Sequence, residues 1–143
     1  MTVIGKGPVA LDSSVFIYWI EEHPKFEPVL APLFGALGDG HLAAVTSAIS
    51  LLETLVVPLR SGQTELTSRY ETFLSRGPGL TLHPIDVPLL RAAAALRARS
   101  RVGTPDALQL ATAIAAGCTS FVTNDRRIPE VRGLRVIQLD EVA

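Results

Sequence analysis

Short apolar runs alternate along this chain with longer segments whose apolar positions recur at helical spacing. Val9-Ala10-Leu11 reads as a short buried strand. Asp12-Ser13-Ser14 then supplies capping residues for a helix through Val15-Phe16-Ile17-Tyr18-Trp19-Ile20. A second helix is expected within residues 24–37, closed by the turn Gly38-Asp39-Gly40. Residues 42–45 form the next strand candidate, and Thr46 or Ser47 caps a helix running to about Leu59. Within residues 62–75, Leu66, Tyr70, Phe73 and Leu74 keep helical spacing until Arg76-Gly77-Pro78-Gly79 breaks it. Residues 80–85 give a third strand, and Asp86 caps an alanine-rich helix through Arg101. Thr104-Pro105-Asp106 carries three helix-start signals: a hydroxyl cap, a proline in the first turn and an acid beside the positive helix end. Gly117 ends that helix; residues 119–123 and 134–139 are the fourth and fifth strands.

The strands are short, apolar and without polar alternation, and they alternate with helices. That combination predicts a three-layer α/β/α sandwich around a central, mainly parallel sheet. The 143 residues form one domain without repeat, low-complexity tract or long linker. A hydrophobic fraction of 48% and a mean hydropathy of +0.33 exclude a disordered chain. Cys118 is the single cysteine, which excludes a disulfide framework and a cysteine-based zinc site and fits a reducing, cytoplasmic setting. The leader, residues 1–8, lacks the apolar core of a signal peptide. The uncharged stretch 107–124 contains Gln109, Thr112, Gly117, Thr119 and Ser120, so it reads as helix, turn and strand, not as a membrane span.

Charge changes the picture at four positions. Asp12 ends the first apolar strand, and Asp125 closes Ser120-Phe121-Val122-Thr123-Asn124. Glu53 lies two turns into the helix after the second strand, among apolar Ile49, Leu52, Val56 and Val57. Asp106 opens the apolar helix at residues 107–116. Acids beside a core are unfavourable unless paired or bound to a cation. Ligands of open parallel sheets bind beyond the carboxyl ends of the strands. The four acids are therefore expected on one rim, where their mutual repulsion calls for a divalent cation. Hard oxygen donors suit Mg²⁺ or Mn²⁺, and the scattered His23, His41 and His83 give no zinc spacing. Such a site suits phosphodiester hydrolysis without a nucleophilic side chain. Each acid alone has a plainer reading. Asp12 serves as a helix cap, Asp106 complements a helix dipole on an exposed stripe with Gln109 and Thr112, Asp125 belongs to a turn, and Glu53 is solvated.

At these residues the sequence resembles the PIN-domain ribonucleases, and more narrowly the VapC-type toxins of bacterial toxin-antitoxin pairs. The resemblance rests on Val9-Ala10-Leu11-Asp12-Ser13-Ser14 and on residues 47–55 around Glu53. It is strongest in Thr104-Pro105-Asp106-Ala107-Leu108-Gln109-Leu110-Ala111-Thr112-Ala113 followed by Phe121-Val122-Thr123-Asn124-Asp125. It closes on Gly133-Leu134-Arg135-Val136-Ile137-Gln138-Leu139, so it spans almost the whole chain in order. It implies a Mg²⁺- or Mn²⁺-dependent endoribonuclease whose metal-binding, catalytic set is Asp12, Glu53, Asp106 and Asp125. Thr123 matches the polar residue of a late Thr-x-Asp motif and would orient substrate or a water, and Ser13 sits at a small polar position. A cognate antitoxin covering the active-site groove, and a homodimer, are further implications. The leader departs from relatives that begin almost at the first strand.

The net charge of −1 gives no general support for nucleic-acid binding, but the distribution is informative. Arginines cluster at Arg91, Arg97, Arg99 and Arg101, and again at Arg126, Arg127, Arg132 and Arg135. Arg97 and Arg101, spaced for one helix face, and Arg126 and Arg127, beside Asp125, are candidates for phosphate contact; the competing reading is a solvated surface. A non-catalytic RNA-binding or protein-interaction module on the same fold is the alternative function. A phosphoacceptor signalling domain is disfavoured, since no lysine follows Lys25. Aromatic area gathers at Phe16, Tyr18, Trp19, Phe26 and Phe34, divided between the core and a partner surface.

Overall fold

A computed structural model describes residues 7–143; of the leader, residues 1–6 lie outside the described residues. The chain runs β1 (Val9–Leu11), α1 (Ser13–Ile20), α2 (Glu27–Gly38), β2 (Ala44–Ser47), α3 (Ile49–Arg60) and α4 (Thr64–Arg76). It continues through β3 (Leu80–His83), α5 (Val87–Arg99), α6 (Thr104–Ala115), β4 (Ser120–Thr123), β5 (Arg135–Gln138) and α7 (Leu139–Val142). The five strands form one sheet in the order β3-β2-β1-β4-β5, with every pairing parallel.

The strands bury both faces, and the side chains sort by the two-residue period of a strand. Ala10, Val45 and Phe121 join Leu89, Ala93 and Leu96 of α5 and Ala107, Leu110 and Ala111 of α6 in one core. Val9, Leu11, Ala44, Val122 and Ile137 join Val15, Phe16, Leu30, Leu33 and Leu74 of α1, α2 and α4 in the other. These two cores are the outer interfaces of a three-layer sandwich. Phe16, Phe26 and Phe34 fall in the second core, whereas Tyr18 and Trp19 keep partial exposure.

Local chemistry sets the helix starts. The Asp12 side chain accepts from Ser14 N at 3.1 Å, and the Asp86 side chain accepts from Leu89 N at 2.9 Å. Several expected boundaries move: the second strand runs Ala44–Ser47 in place of the expected 42–45, and the third ends at His83 and not at Ile85. Thr46 and Ser47 pair with Leu82 and His83 in the sheet and Ala48 takes the cap position of α3, though the Ser47 hydroxyl still accepts from Ile49 N at 3.2 Å. Helix α5 stops at Arg99, so Arg101 shares no helix face with Arg97. Gly103, not Thr104, is the cap of α6, because the Thr104 hydroxyl accepts from Arg97 Nη1 at 2.9 Å. Gly79 is required between α4 and β3: its φ is +72°, and a Cβ there would stand 2.8 Å from the Leu37 carbonyl oxygen.

The end of α1 is strained. His23 N donates to Tyr18 O at 2.8 Å and Glu22 N to Trp19 O at 3.3 Å, the bond pair of a Schellman motif. Its left-handed position falls on Glu22, with φ 54°, where glycine is the usual occupant. Glu22→Gly is expected to raise stability by about 1 kcal/mol. Urea unfolding checks this as a higher midpoint at unchanged slope.

Candidate active site

In the strand order, the chain moves from β1 to one side and returns to β4 on the other, which opens a crevice beyond the carboxyl ends of these two strands. Asp12 follows β1 there and Asp125 follows β4 by two residues. Glu53 enters from the second turn of α3 and Asp106 from the first turn of α6. All four line one cleft of about 660 Å³, together with Ser13, Ser14, Tyr18, Arg101, Gln109, Asn124, Arg126 and Arg127.

Asp12 forms the floor of this cleft, with only 9% of its surface exposed. Its Oδ1 accepts from the Ser14 amide and hydroxyl, and its Oδ2 accepts from the Thr123 hydroxyl. Burial nevertheless raises its pKa to about 6, against the lowering effect of those bonds. Thr123 is fully buried and its hydroxyl also accepts from Asp125 N at 3.0 Å. It braces two acids from beneath and is not among the cleft-lining residues.

The other three acids feel one another. Glu53 is raised first by desolvation and then by the charge of Asp106, while hydrogen bonds from Ser13 and Gln109 oppose the shift. Asp106 is raised by desolvation and by Asp125. That outweighs its place at a helix N-terminus, where the dipole favours the charged form by about 0.3–1 kcal/mol. Asp125 is held low by Arg127, whose Nε and Nη2 reach its two oxygens at 3.0 and 2.9 Å. Among the described residues, no group of three or more acidic, imidazole or thiol side chains is gathered tightly enough to hold an ion as it stands. The acids share a cleft without converging on one point.

The predicted arginines divide. Arg101 lines the cleft. Arg126 lines it too, but its Nη1 is engaged by Glu141 at 2.6 Å. Arg127 sits on Asp125. Arg97 is not a lining residue; its guanidinium ties the α5–α6 loop through Val102 O and Thr104 Oγ1. The expected exposed stripe of Asp106, Gln109 and Thr112 does not form, since Gln109 is 3% and Thr112 1% exposed. Both polar side chains turn inward because partners await them: Thr112 donates to Leu108 O, and Gln109 enters a buried network with Ser47 and Ser50. Tyr18, Ser14 and Asn124 also reach the cleft, and sequence reasoning missed them; only the proximity of Ser14 and Asn124 to Asp12 and Asp125 could have signalled it. Conversely, Leu52, Val56 and Val57 around Glu53 are exposed, not core.

The Asp12 shift fixes a stability prediction. Its folded pKa of about 6 exceeds the ordinary value of 3.8, so the folded state prefers the protonated acid. That stabilisation is full below pH 3.8 and is lost as pH rises through about 6. Ionised Asp12 then opposes folding by an amount on the order of 3 kcal/mol. Asp12→Asn in chelator is therefore expected to melt higher than wild type at pH 7.5, with the difference shrinking toward pH 4. Melting curves across that range test it, and a lower melting temperature at pH 7.5 contradicts it.

The profile of the PIN domain family matches residues 9–134. No curated protein matches the chain. Among solved structures, VapBC2 from Rickettsia felis bound to a DNA fragment from their promoter is 21% identical at a TM-score of 0.69, covering 92% of this chain and 98% of that one. A toxin-antitoxin complex from Klebsiella pneumoniae is 19% identical at 0.66, covering 92% and 97%. VapBC-5 from Mycobacterium tuberculosis is 21% identical at 0.57, covering 93% and 99%. These likenesses carry the fold, and the profile, matched from β1 past β4 and across all four acids, carries the family: the chain belongs to the PIN domain family.

Proposed function

We propose that the protein is a metal-dependent endoribonuclease, the VapC-type toxin of a bacterial toxin-antitoxin pair. The observation that carries the reading is the meeting of Asp12, Glu53, Asp106 and Asp125 in one cleft at the switch point of a PIN-domain sheet. Soft ligands are absent from the lining, so the donor set fits Mg²⁺ or Mn²⁺. The spread of the acids suits an ion that keeps several waters and meets some carboxylates through them. Asp12, Glu53, Asp106 and Asp125 would hold it. A bound divalent ion supplies Lewis acidity to the attacking water and to the scissile phosphate.

The chain's own groups have distinct parts in this reading. Asp12 is the fixed carboxylate, oriented by Ser14 and Thr123. Glu53 and Asp106, both raised toward neutrality, are the groups suited to take a proton from water. Ser13, bonded to Glu53, and Thr123 position acids from the side and from below. Arg127 is 85% exposed at its side chain and would exchange Asp125 for an RNA phosphate, which its planar fork can grip. Arg101 and Arg126 lie where they can contact the same backbone, whereas Arg97 would act only by bracing the loop that carries Arg101.

The similar structures from Rickettsia felis and Klebsiella pneumoniae are toxin-antitoxin assemblies, and this supports an antitoxin as partner. Exposed Leu52, Val56, Val57 and Leu59 on α3 supply apolar area of the kind a homodimer covers. No helix among the described residues is long and apolar enough to cross a membrane, and with one free cysteine this supports a cytoplasmic site of action. Two observations favour the non-catalytic alternative: Arg127 already pairs with Asp125, and no tight acidic group is formed among the described residues.

Cleavage of a mixed RNA pool decides between them. Purified protein is expected to cut with Mg²⁺ or Mn²⁺ and not with chelator. Asp106→Asn should lower the rate by about 100-fold or more while keeping the fold. Undiminished cutting by the folded variant, or metal-independent cutting, rejects the proposal. Arg127→Ala should bind Mn²⁺ more tightly, because a competing cation is gone, yet retain RNA more weakly; calorimetry with metal alone and filter binding of RNA in chelator separate the two effects.

A further inference from the structure

Gln109 is a buried amide with three polar neighbours, each held differently. It stands one turn after Asp106 on α6, 3% exposed. Its Oε1 accepts from Ser47 N at 3.3 Å, and its Nε2 donates to Ser50 Oγ at 2.8 Å. Thr46 Oγ1 donates to Leu11 O at 2.7 Å and lies 2.7 Å from Ser50 Oγ. Since the Thr46 proton is committed to Leu11, the Ser50 hydroxyl must donate to Thr46 and accept from Gln109. Donation therefore runs one way, from Gln109 through Ser50 and Thr46 to the carbonyl of the residue before Asp12. With Oε1 fixed by a backbone N–H, the amide cannot flip without leaving Ser47 N unsatisfied in the interior. One N–H of Nε2 serves Ser50. The other faces the next turn of α3, where Glu53 follows Ser50 by three residues and lines the same cleft as Gln109.

We propose that Gln109 is a positioning residue of the cleft, holding the Glu53 carboxylate in register with Asp12 for a divalent cation. The inference rests on the metal-dependent reading of this site. Glu53 projects from α3, whose neighbouring Leu52, Val56 and Val57 are exposed, so its own helix face gives it little packing. Ser13 and Gln109 line the cleft beside it, and Gln109 is the one anchored in the core, on Ser50 one turn before Glu53. The brace joins three elements of the cleft: α6, α3 through Ser50 and Glu53, and the end of β1 through Leu11. Partners of this kind typically change metal affinity by about 10- to 100-fold when removed.

The test is Gln109→Met, which keeps length and volume and removes the amide. Mn²⁺ binding is titrated by calorimetry with the metal alone, beside thermal melting in chelator and steady-state RNA cleavage. Folded Gln109→Met is expected to bind Mn²⁺ at least about tenfold more weakly and to lose kcat with little change in KM. On a Glu53→Gln background the same substitution is expected to add almost nothing to the loss of Mn²⁺ affinity, since its effect passes through Glu53. An additive loss on that background, or unchanged Mn²⁺ affinity in folded Gln109→Met, overturns the inference and leaves the nuclease reading intact. Wild-type protein that binds no Mn²⁺ overturns the metal reading itself, and this inference with it. Should Gln109→Met fail to fold, Gln109→Asn keeps an amide in the interior but withdraws it from Glu53 by one methylene, and the same outcomes apply.

Discussion

A carboxylate buried at the carboxyl end of the central strand is the constraint around which this molecule is arranged. Asp12 sits where β1 gives way to α1, and it is nearly inaccessible. An ionised acid there is unfavourable by several kcal/mol unless its oxygens are occupied. The Ser14 amide and hydroxyl take one oxygen and Thr123 takes the other. Thr123 belongs to β4, so the bond also fixes the register of two strands that are 111 residues apart in sequence. The same hydroxyl holds Asp125 N, so the second acid's loop is built on the first acid's partner.

From that floor outward the cleft becomes softer. Asp12 and Thr123 are locked in the interior. Glu53 and Asp106 are half-buried and coupled to each other through charge. Asp125 is more exposed and shares its two oxygens with a solvent-facing arginine. Solvent screens a pair this exposed, so the Arg127–Asp125 contact is open to exchange with another cation. A rigid floor with an exchangeable rim is the arrangement expected where geometry must be kept while charged ligands come and go.

Much of this was legible in the sequence, for identifiable reasons. Apolar strands buried on both faces leave no alternation, and that absence reads directly as a parallel sheet with helices on both sides. Asp12 and Asp125 were placed correctly because strand ends in such a sheet share one edge. The exposed stripe that polarity suggests for Gln109 and Thr112 beside Asp106 does not form, because their hydrogen-bond partners lie on α3 and on the preceding turn of α6. Leu52, Val56 and Val57 were misread in the opposite sense: apolar spacing marks a face but does not say whether this chain supplies the cover. Thr46 and Ser47 read as caps because hydroxyls near a helix start usually are; both lie in β2, where the Thr46 hydroxyl turns to Leu11 O and only that of Ser47 reaches the helix start, at Ile49 N. Gln109 and the β2 residues are decided by long-range partners that local pattern does not carry, whereas Thr112 is satisfied within its own helix.

Charge accounting in the cleft gives the nuclease reading its strongest physical footing. Asp12, Glu53, Asp106 and Asp125 line it, against Arg101, Arg126 and Arg127. Arg126 is already engaged by Glu141, outside the lining, so part of its charge is spoken for. With pKa values raised at Asp12, Glu53 and Asp106, the acids are strained by one another and by burial, yet Asp12, at about 6, is still mainly ionised at neutral pH. An RNA phosphate entering this field without a cation would meet net repulsion at short range, in a medium that screens it less than bulk water does. Arg127 alone cannot reverse that sign while it remains on Asp125. Either the acids take up protons, which their spread of pKa directions permits only in part, or a cation accompanies the phosphate. A small divalent ion would do this at the least volume and would suit hard oxygen donors from both sides, leaving Arg127 for the substrate. On electrostatic grounds, then, the proposed ion and RNA would be coupled ligands of one cleft, each relieving a repulsion that opposes the other.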